Sequence, residues 1–172
     1  MANTYVKIAS VTVGAGGASS IEFTSIPATY DDLSLYLSTR LTVADNSLNF
    51  TVNGNTGSIN NFRYLAGSGS AASSASRANS NIYDSIISNR SSWTASTFDN
   101  QMIYIPNYRS SNNKSMSHDG VAENNATAAW MQMTAIMIAD TNPITSIKVF
   151  YSGTNNDIVE YSTATLYGIK KS

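Results

Sequence analysis

The stretch LSLYLSTRL, from Leu33 to Leu41, alternates along its length: Leu33, Leu35, Leu37 and Leu41 fall on one side, and Ser34, Tyr36, Ser38 and Arg40 on the other. A helix would scatter these leucines around its circumference, whereas a pleated strand sets them on one face. The pattern returns in LNFTV, where Leu48, Phe50 and Val52 share a side. NGNTG follows it, rich in residues that tolerate positive φ, and predicts a tight reversal. Further strands are expected over 5–13, 20–25, 62–65, 81–87, 102–105, 144–151 and 158–167. Gly, Asn, Asp and Ser lie between them, and Pro27 and Pro106 stand at strand ends, where a missing N–H is tolerated. Evenly spaced short strands of this kind point to an all-β fold, a sandwich or barrel of antiparallel strands.

One segment, ATAAWMQMTAIMIAD at 126–140, is ambiguous. Its Ala, Met and Gln favour helix, while its apolar residues fill both alternating faces. A buried strand and a core helix both fit, and the strand is favoured because every neighbour is strand-like. Trp130, inside this segment, is expected in the core.

With 172 residues the chain suits a single domain over 1–172. Charged residues make up only 12% of it, and polarity comes instead from 27 Ser, 19 Asn and 17 Thr, which compete with helix formation through short side-chain hydrogen bonds. Ten cations against eleven acids, scattered from Lys7 to Lys171, offer no clustered basic face for nucleic acid. The absence of cysteine removes disulfides, thiolate metal sites and a cysteine nucleophile. The N-terminal MANTYVKIASVTVGAGGA alternates as a strand does rather than as a signal peptide, and no apolar run approaches the roughly 20 residues that span a bilayer. A soluble protein made in the cytoplasm is expected, with no membrane partner.

The candidate chemical motifs have plain structural readings. GAGG at 14–17 follows a strand, but SSIEFTS after it is another strand rather than a phosphate-binding helix, so a hairpin loop is expected. His118, the single histidine, sits in KSMSHDGVAEN and is read as a loop histidine before a turn-forming Asp-Gly. The adjacent Asp31 and Asp32 are read as solvent-facing residues of a turn leading into a strand. Loop oxygens at ADN (44–46) or TNND (154–157) are weak calcium candidates. Four N-x-S/T sequons match what this much Ser and Thr gives by chance. No catalytic residue, metal ligand or cofactor is assigned, and no enzyme activity is expected. Trp93, in NRSSWTASTFDN, is the better-placed aromatic for a contact, although packing beneath its own loop explains it as well.

Between Leu65 and Asn81 the chain reads LAGSGSAASSASRANSN. Alone it resembles a flexible linker. Strand patterns on both sides make it instead a long Ser/Ala-rich loop over 66–80 within one domain, an arm with Arg77 as anchor against a neighbouring subunit.

The stretch IEFTSIPATYDDLSLYLSTR, the following LNFTVNGNTGSINNFRYLAGSGSAASSASRANSNI, and the closing TLYGIKK resemble a group of small virion structural proteins of tailed bacteriophages, marine and cyanobacterial phages among them. Ile26, Pro27, Thr29 and Tyr30 match the group's opening, Ser38 and Arg40 its strand end, and Asn53, Gly54, Thr56 and Gly57 its turn, with Asn55 where an acid is usual. The resemblance implies a jelly-roll-like β-sandwich on the outer surface of a virion. The function expected is that of a capsid decoration, or cement, protein that binds the major capsid protein as a homotrimer and stabilises the head. The alternative is a tail or head fibre that recognises a host surface glycan.

Overall fold

The alternating rows of leucine, isoleucine and phenylalanine sort into two antiparallel sheets packed face to face. The computed structural model describes residues 4–44, 47–125, 129–153 and 155–170. Its strands are β1 (Tyr5–Thr12), β2 (Ser20–Phe23), β3 (Asp32–Ser38), β4 (Ser47–Val52), β5 (Asn60–Gly67), β6 (Ala72–Ser80), β7 (Tyr83–Ile87), β8 (Asn100–Ile105), β9 (Lys114–Glu123), β10 (Ala129–Ile138), β11 (Ile147–Phe150) and β12 (Thr163–Ile169). The large sheet has the order β1-β12-β3-β8-β9-β10-β5-β6 and the small one β2-β11-β4-β7.

Setting aside the two hairpins β5–β6 and β9–β10 leaves four strands in each layer, β1-β12-β3-β8 over β2-β11-β4-β7. Among these eight, each strand lies in the opposite sheet from the one before it, except where β4 is followed by β7. That interleaving is the jelly-roll arrangement. The hairpins are insertions, one between β4 and β7 and the other between β8 and β11, and both extend the large sheet beyond β8.

The two layers enclose one apolar cluster. Leu33, Leu35, Ile103, Ile105 and Leu166 from the large sheet meet Ile21, Phe50, Ile86, Ile147 and Val149 from the small one, all inaccessible to solvent or nearly so. Burying side chains of this size contributes roughly 1.5–3 kcal/mol each relative to exposure. Two residues of the sequence motifs noted above, Tyr30 and Asn53, do structural work at this boundary. The Tyr30 ring packs against Gly168 in β12, where a Cβ would stand 2.2 Å from the ring. Asn53, at φ 53°, accepts hydrogen bonds on Oδ1 from the backbone of Thr145 and Ser146 and donates through Nδ2 to the Pro143 carbonyl. It thereby joins the end of β4 to the approach to β11.

Three expectations change. The 66–80 stretch is not a long loop: after a short turn closed by Ser68 N–H on the Ala71 carbonyl, Ala72–Ser80 form β6 against β5. The GAGG segment does not close a hairpin, because β1 and β2 lie in different sheets and the chain crosses between them there. NGNTG makes the expected tight turn, closed by the Asn55 N–H on the Val52 carbonyl with Asn53 and Gly54 at positive φ, and leads from the small sheet to the large one. The ambiguous segment is a strand over Ala129–Ile138, its first three residues lying outside the described ones, and Trp130 is half-exposed rather than in the core.

Gly168→Ala is expected to lower stability by about 1–3 kcal/mol through overpacking against Tyr30. Urea unfolding checks this, with Tyr30→Leu in the same chain recovering much of the loss. Additive losses would show that the two residues do not act as a pair.

Candidate functional site

The register of the inserted hairpins decides what the large sheet shows to solvent. Its inner row runs Leu35, Ile103, His118, Thr134, Tyr64 across β3, β8, β9, β10 and β5, and the adjacent outer row runs Tyr36, Met102, Asp119, Met133, Leu65, Ser74 out to β6. Polarity is thus inverted at one end of β10, while Ile136 and Ile138 of the same strand, with Phe62 of β5 and Met116 of β9, face the core in the ordinary way. Gln132 and Thr134 are buried, while Met131 and Met133 on the same strand are 54% and 61% exposed, and Leu65 beside them is 67% exposed.

The outer surface of β8, β9, β10, β5 and β6 is concave. It forms a groove of about 1250 Å³ whose walls include Arg63, Leu65, Tyr104, Asp119, Met131 and Met133. Ser74 and Ser76 of β6 flank one side, and Tyr104 with Pro106 the other. The floor is apolar and flexible in its methionines, with a cation on β5 and an acid on β9 of opposite sign. A cluster of tyrosines continues the outer face toward β1: the Tyr167 ring meets Tyr5 and Tyr36 edge-on, with centroids 6.1 and 5.7 Å away. Tyr104 donates its hydroxyl proton to Asp32 Oδ2 at 2.6 Å, and this bond, burial and the acid's charge push the phenol up to about 12. Asp32 is not solvent-facing but buried, and its other oxygen accepts the Asn107 N–H at 2.9 Å. Asp31 pairs with Arg109 at 2.9 Å.

His118 is not a loop residue either. It lies mid-β9 on the inner face, and Asp119 and Gly120 continue the strand. Its Nε2 is 2.7 Å from Gln101 Oε1, which can only accept, so Nε2 carries the proton and Nδ1, 2.7 Å from the Tyr83 oxygen, accepts the phenol's. Thr134 Oγ1 lies 3.2 Å from the same phenol and accepts from Gln132 Nε2 at 2.9 Å. Gly120 makes room for this chain, since a Cβ there would stand 1.7 Å from Gln101 Oε1. The histidine side chain is sealed from solvent within the core, on the face of β9 opposite the groove.

Neither residue expected to meet a partner borders the groove. Arg77, on β6, turns its guanidinium to Asp84 of β7 and covers the Phe62 ring at 5.8 Å, so it anchors β6 within the chain. Trp93 sits in the turn between β7 and β8 under the Arg90 guanidinium at 5.1 Å. That turn is clamped by Arg40, whose Nη2 donates to the Trp93 carbonyl and Nη1 to those of Thr94 and Thr97. Of the calcium candidates, Asp45, Asn46 and Thr154 lie outside the described residues. The groove residues Met131 and Met133 did leave a trace in the sequence, as the alternating half of WMQMTAIMIA, but nothing local says which half faces out. Compared with known proteins, the chain matches no family model, no curated protein and no solved structure.

Two buried groups titrate in opposite senses. Burial pushes the Asp99 carboxyl up to about 7, against hydrogen bonds from Thr39 N at 2.7 Å and Thr39 Oγ1 at 2.5 Å that favour its charged form. Burial also lowers His118 to about 4. From about pH 4 to 7 the folded chain keeps a proton on Asp99 that the unfolded chain has released, so this group's contribution to stability falls as pH rises. From about pH 4 to 6.5 the unfolded chain holds a proton on His118 that the folded chain lacks, so this contribution grows as pH rises. The two slopes offset each other in the wild type. Asp99→Asn is expected to unmask a gain of about 3 kcal/mol with rising pH and His118→Gln a decline of about 4 kcal/mol across the window. Urea unfolding as a function of pH checks this, and identical pH profiles for all three chains would contradict it.

Proposed function

We propose that this chain is a non-catalytic structural protein of a tailed-phage virion, a decoration protein that docks on the outer capsid lattice through the groove of its large sheet and stabilises the head. The observation that carries the docking role is the exposed apolar patch of Met131, Met133 and Leu65 on the outer face, where Gln132 and Thr134 of the same strand as the methionines are buried instead. Exposed apolar surface on a rigid sheet is retained where a partner covers it, and methionines adapt to the partner's relief. The virion assignment draws on the phage-like sequence pattern, whose Tyr30, Asn53 and Arg40 hold the jelly roll together rather than line the groove. A net charge of -1 spares close-packed copies strong mutual repulsion, and avidity over a lattice lets each copy bind modestly.

A second reading, a fibre-type protein that binds a host glycan, is favoured by one observation: the cluster of Tyr5, Tyr36 and Tyr167, whose rings and hydroxyls suit stacking and hydrogen bonding with sugars.

Capsids lacking the protein, mixed with purified chain, test the first reading. Met133→Asp is expected to weaken binding at least tenfold, since it removes apolar contact and buries an unpaired charge in the interface. Met133 faces solvent, so the variant should stay folded, its melting temperature lowered only slightly by the like charge of Asp119 opposite it. Wild-type protein confined to a few tail copies, or equal capsid binding by the variant, would overturn it. Saturable glycan binding lost in Tyr36→Ala would establish the second reading in its place.

A further inference from the structure

A sheet edge presents unpaired N–H and C=O groups, and soluble proteins blunt such edges. Of the four edge strands in the described structure, three are blunted. In the small sheet, β2 and β7 are only 4 and 5 residues long. In the large sheet, β1 carries Lys7 and a register shift between Lys7 and Ala9. The fourth, β6, is 9 residues long, is exposed from Ala72 to Asn79 and pairs with β5 alone. Its register against β5 is unbroken from Ala72 to Arg77. No proline or lysine guards it, and its single charge, Arg77, is drawn away to Asp84.

We infer that β6 is an interface with a second copy of this chain, the two β6 strands pairing antiparallel about a two-fold axis to join the large sheets edge to edge. The stretch Ala72–Ser76 is uncharged and small throughout, so it meets its own copy with no like-charge clash and no steric bar. A two-fold contact is isologous, so one open edge satisfies both partners and closes the assembly. An axis normal to the sheet keeps both outer faces on the same side. The two grooves, each flanked by Ser74 and Ser76 of its own β6, then face a common surface, which turns two weak contacts into one bivalent one. This pairing makes the homo-oligomer two-fold, in place of the three-fold arrangement expected from the sequence. It does not depend on what the groove binds.

The test uses the purified chain alone. Light scattering on a size-exclusion column is expected to show twice the chain mass at high micromolar concentration, falling toward a single chain on dilution. Consecutive N–H groups along a strand point to opposite sides, so one of Ser73→Pro and Ser74→Pro removes an outward donor. That variant is expected to keep the wild-type melting temperature and run as a single chain at every concentration. The chain contains no cysteine, so single cysteines at Ser73, Ser74, Ala75 and Ser76 report the axis directly. Mild oxidation should link two chains efficiently at the one position that meets itself. A single-chain or three-chain wild-type mass, or no interchain disulfide at any of the four positions, would overturn the inference.

Discussion

The register of β9 on β8 governs everything outside the jelly roll. Ile103 of β8 must face the core, because Leu35 and Leu166 beside it do, and strand pairing passes that choice on residue by residue. His118 stands opposite Ile103 and Thr134 opposite His118, so both go inside; Asp119, Met133 and Leu65 stand in the neighbouring row, so all three go outside. A slip of one residue would return the methionines to the core and expel the histidine. The slip is opposed by the polar chain from Gln132 through Thr134, Tyr83 and His118 to Gln101, which places acceptors and donors at hydrogen-bonding distance in the interior. Phe62, Met116, Ile136 and Ile138 face the core in the same register, so their burial and this chain of contacts together stabilise it against its neighbour.

Fold and groove are therefore separable in origin. The eight jelly-roll strands supply a rigid sandwich whose sequence obeys hydropathy, leucine and isoleucine inward and serine, threonine and tyrosine outward. The inserted hairpins keep that rule at Phe62, Met116, Ile136 and Ile138 but depart from it at His118, Gln132, Thr134, Met131, Met133 and Leu65, beside the concave outer surface. The methionines and the leucine exposed there are the surface on which the proposed docking role rests. The open edge of β6 continues the same region, so groove and edge form one extended surface on the inserted half of the molecule.

Several residues prominent in the sequence turn out to serve the frame. Tyr30 packs on Gly168, Arg40 ties down the turn that carries Trp93, Asn53 bridges to the approach of β11, and Arg77 holds β6 to β7. Each uses a polar or aromatic side chain to span separate parts of the chain. That explains why motifs of this type are recognisable without marking a binding site.

The sequence by itself determined the all-β class and the placing of most strands, because period-two hydropathy and turn residues are local properties that need no partner to be read. It also determined the inward face of β3 and β4, where apolar and polar residues separate cleanly. Only the tertiary structure decided that the Ser/Ala stretch is a strand: its small side chains carry no alternation, and what holds it is a ladder of backbone hydrogen bonds with β5. Only the tertiary structure decided that His118 is buried and Met133 exposed, because facing is inherited across five strands through pairing between residues far apart in the chain. The groove is made of those inherited facings, and so it exists at the level of the sheet and not in any single stretch of the chain.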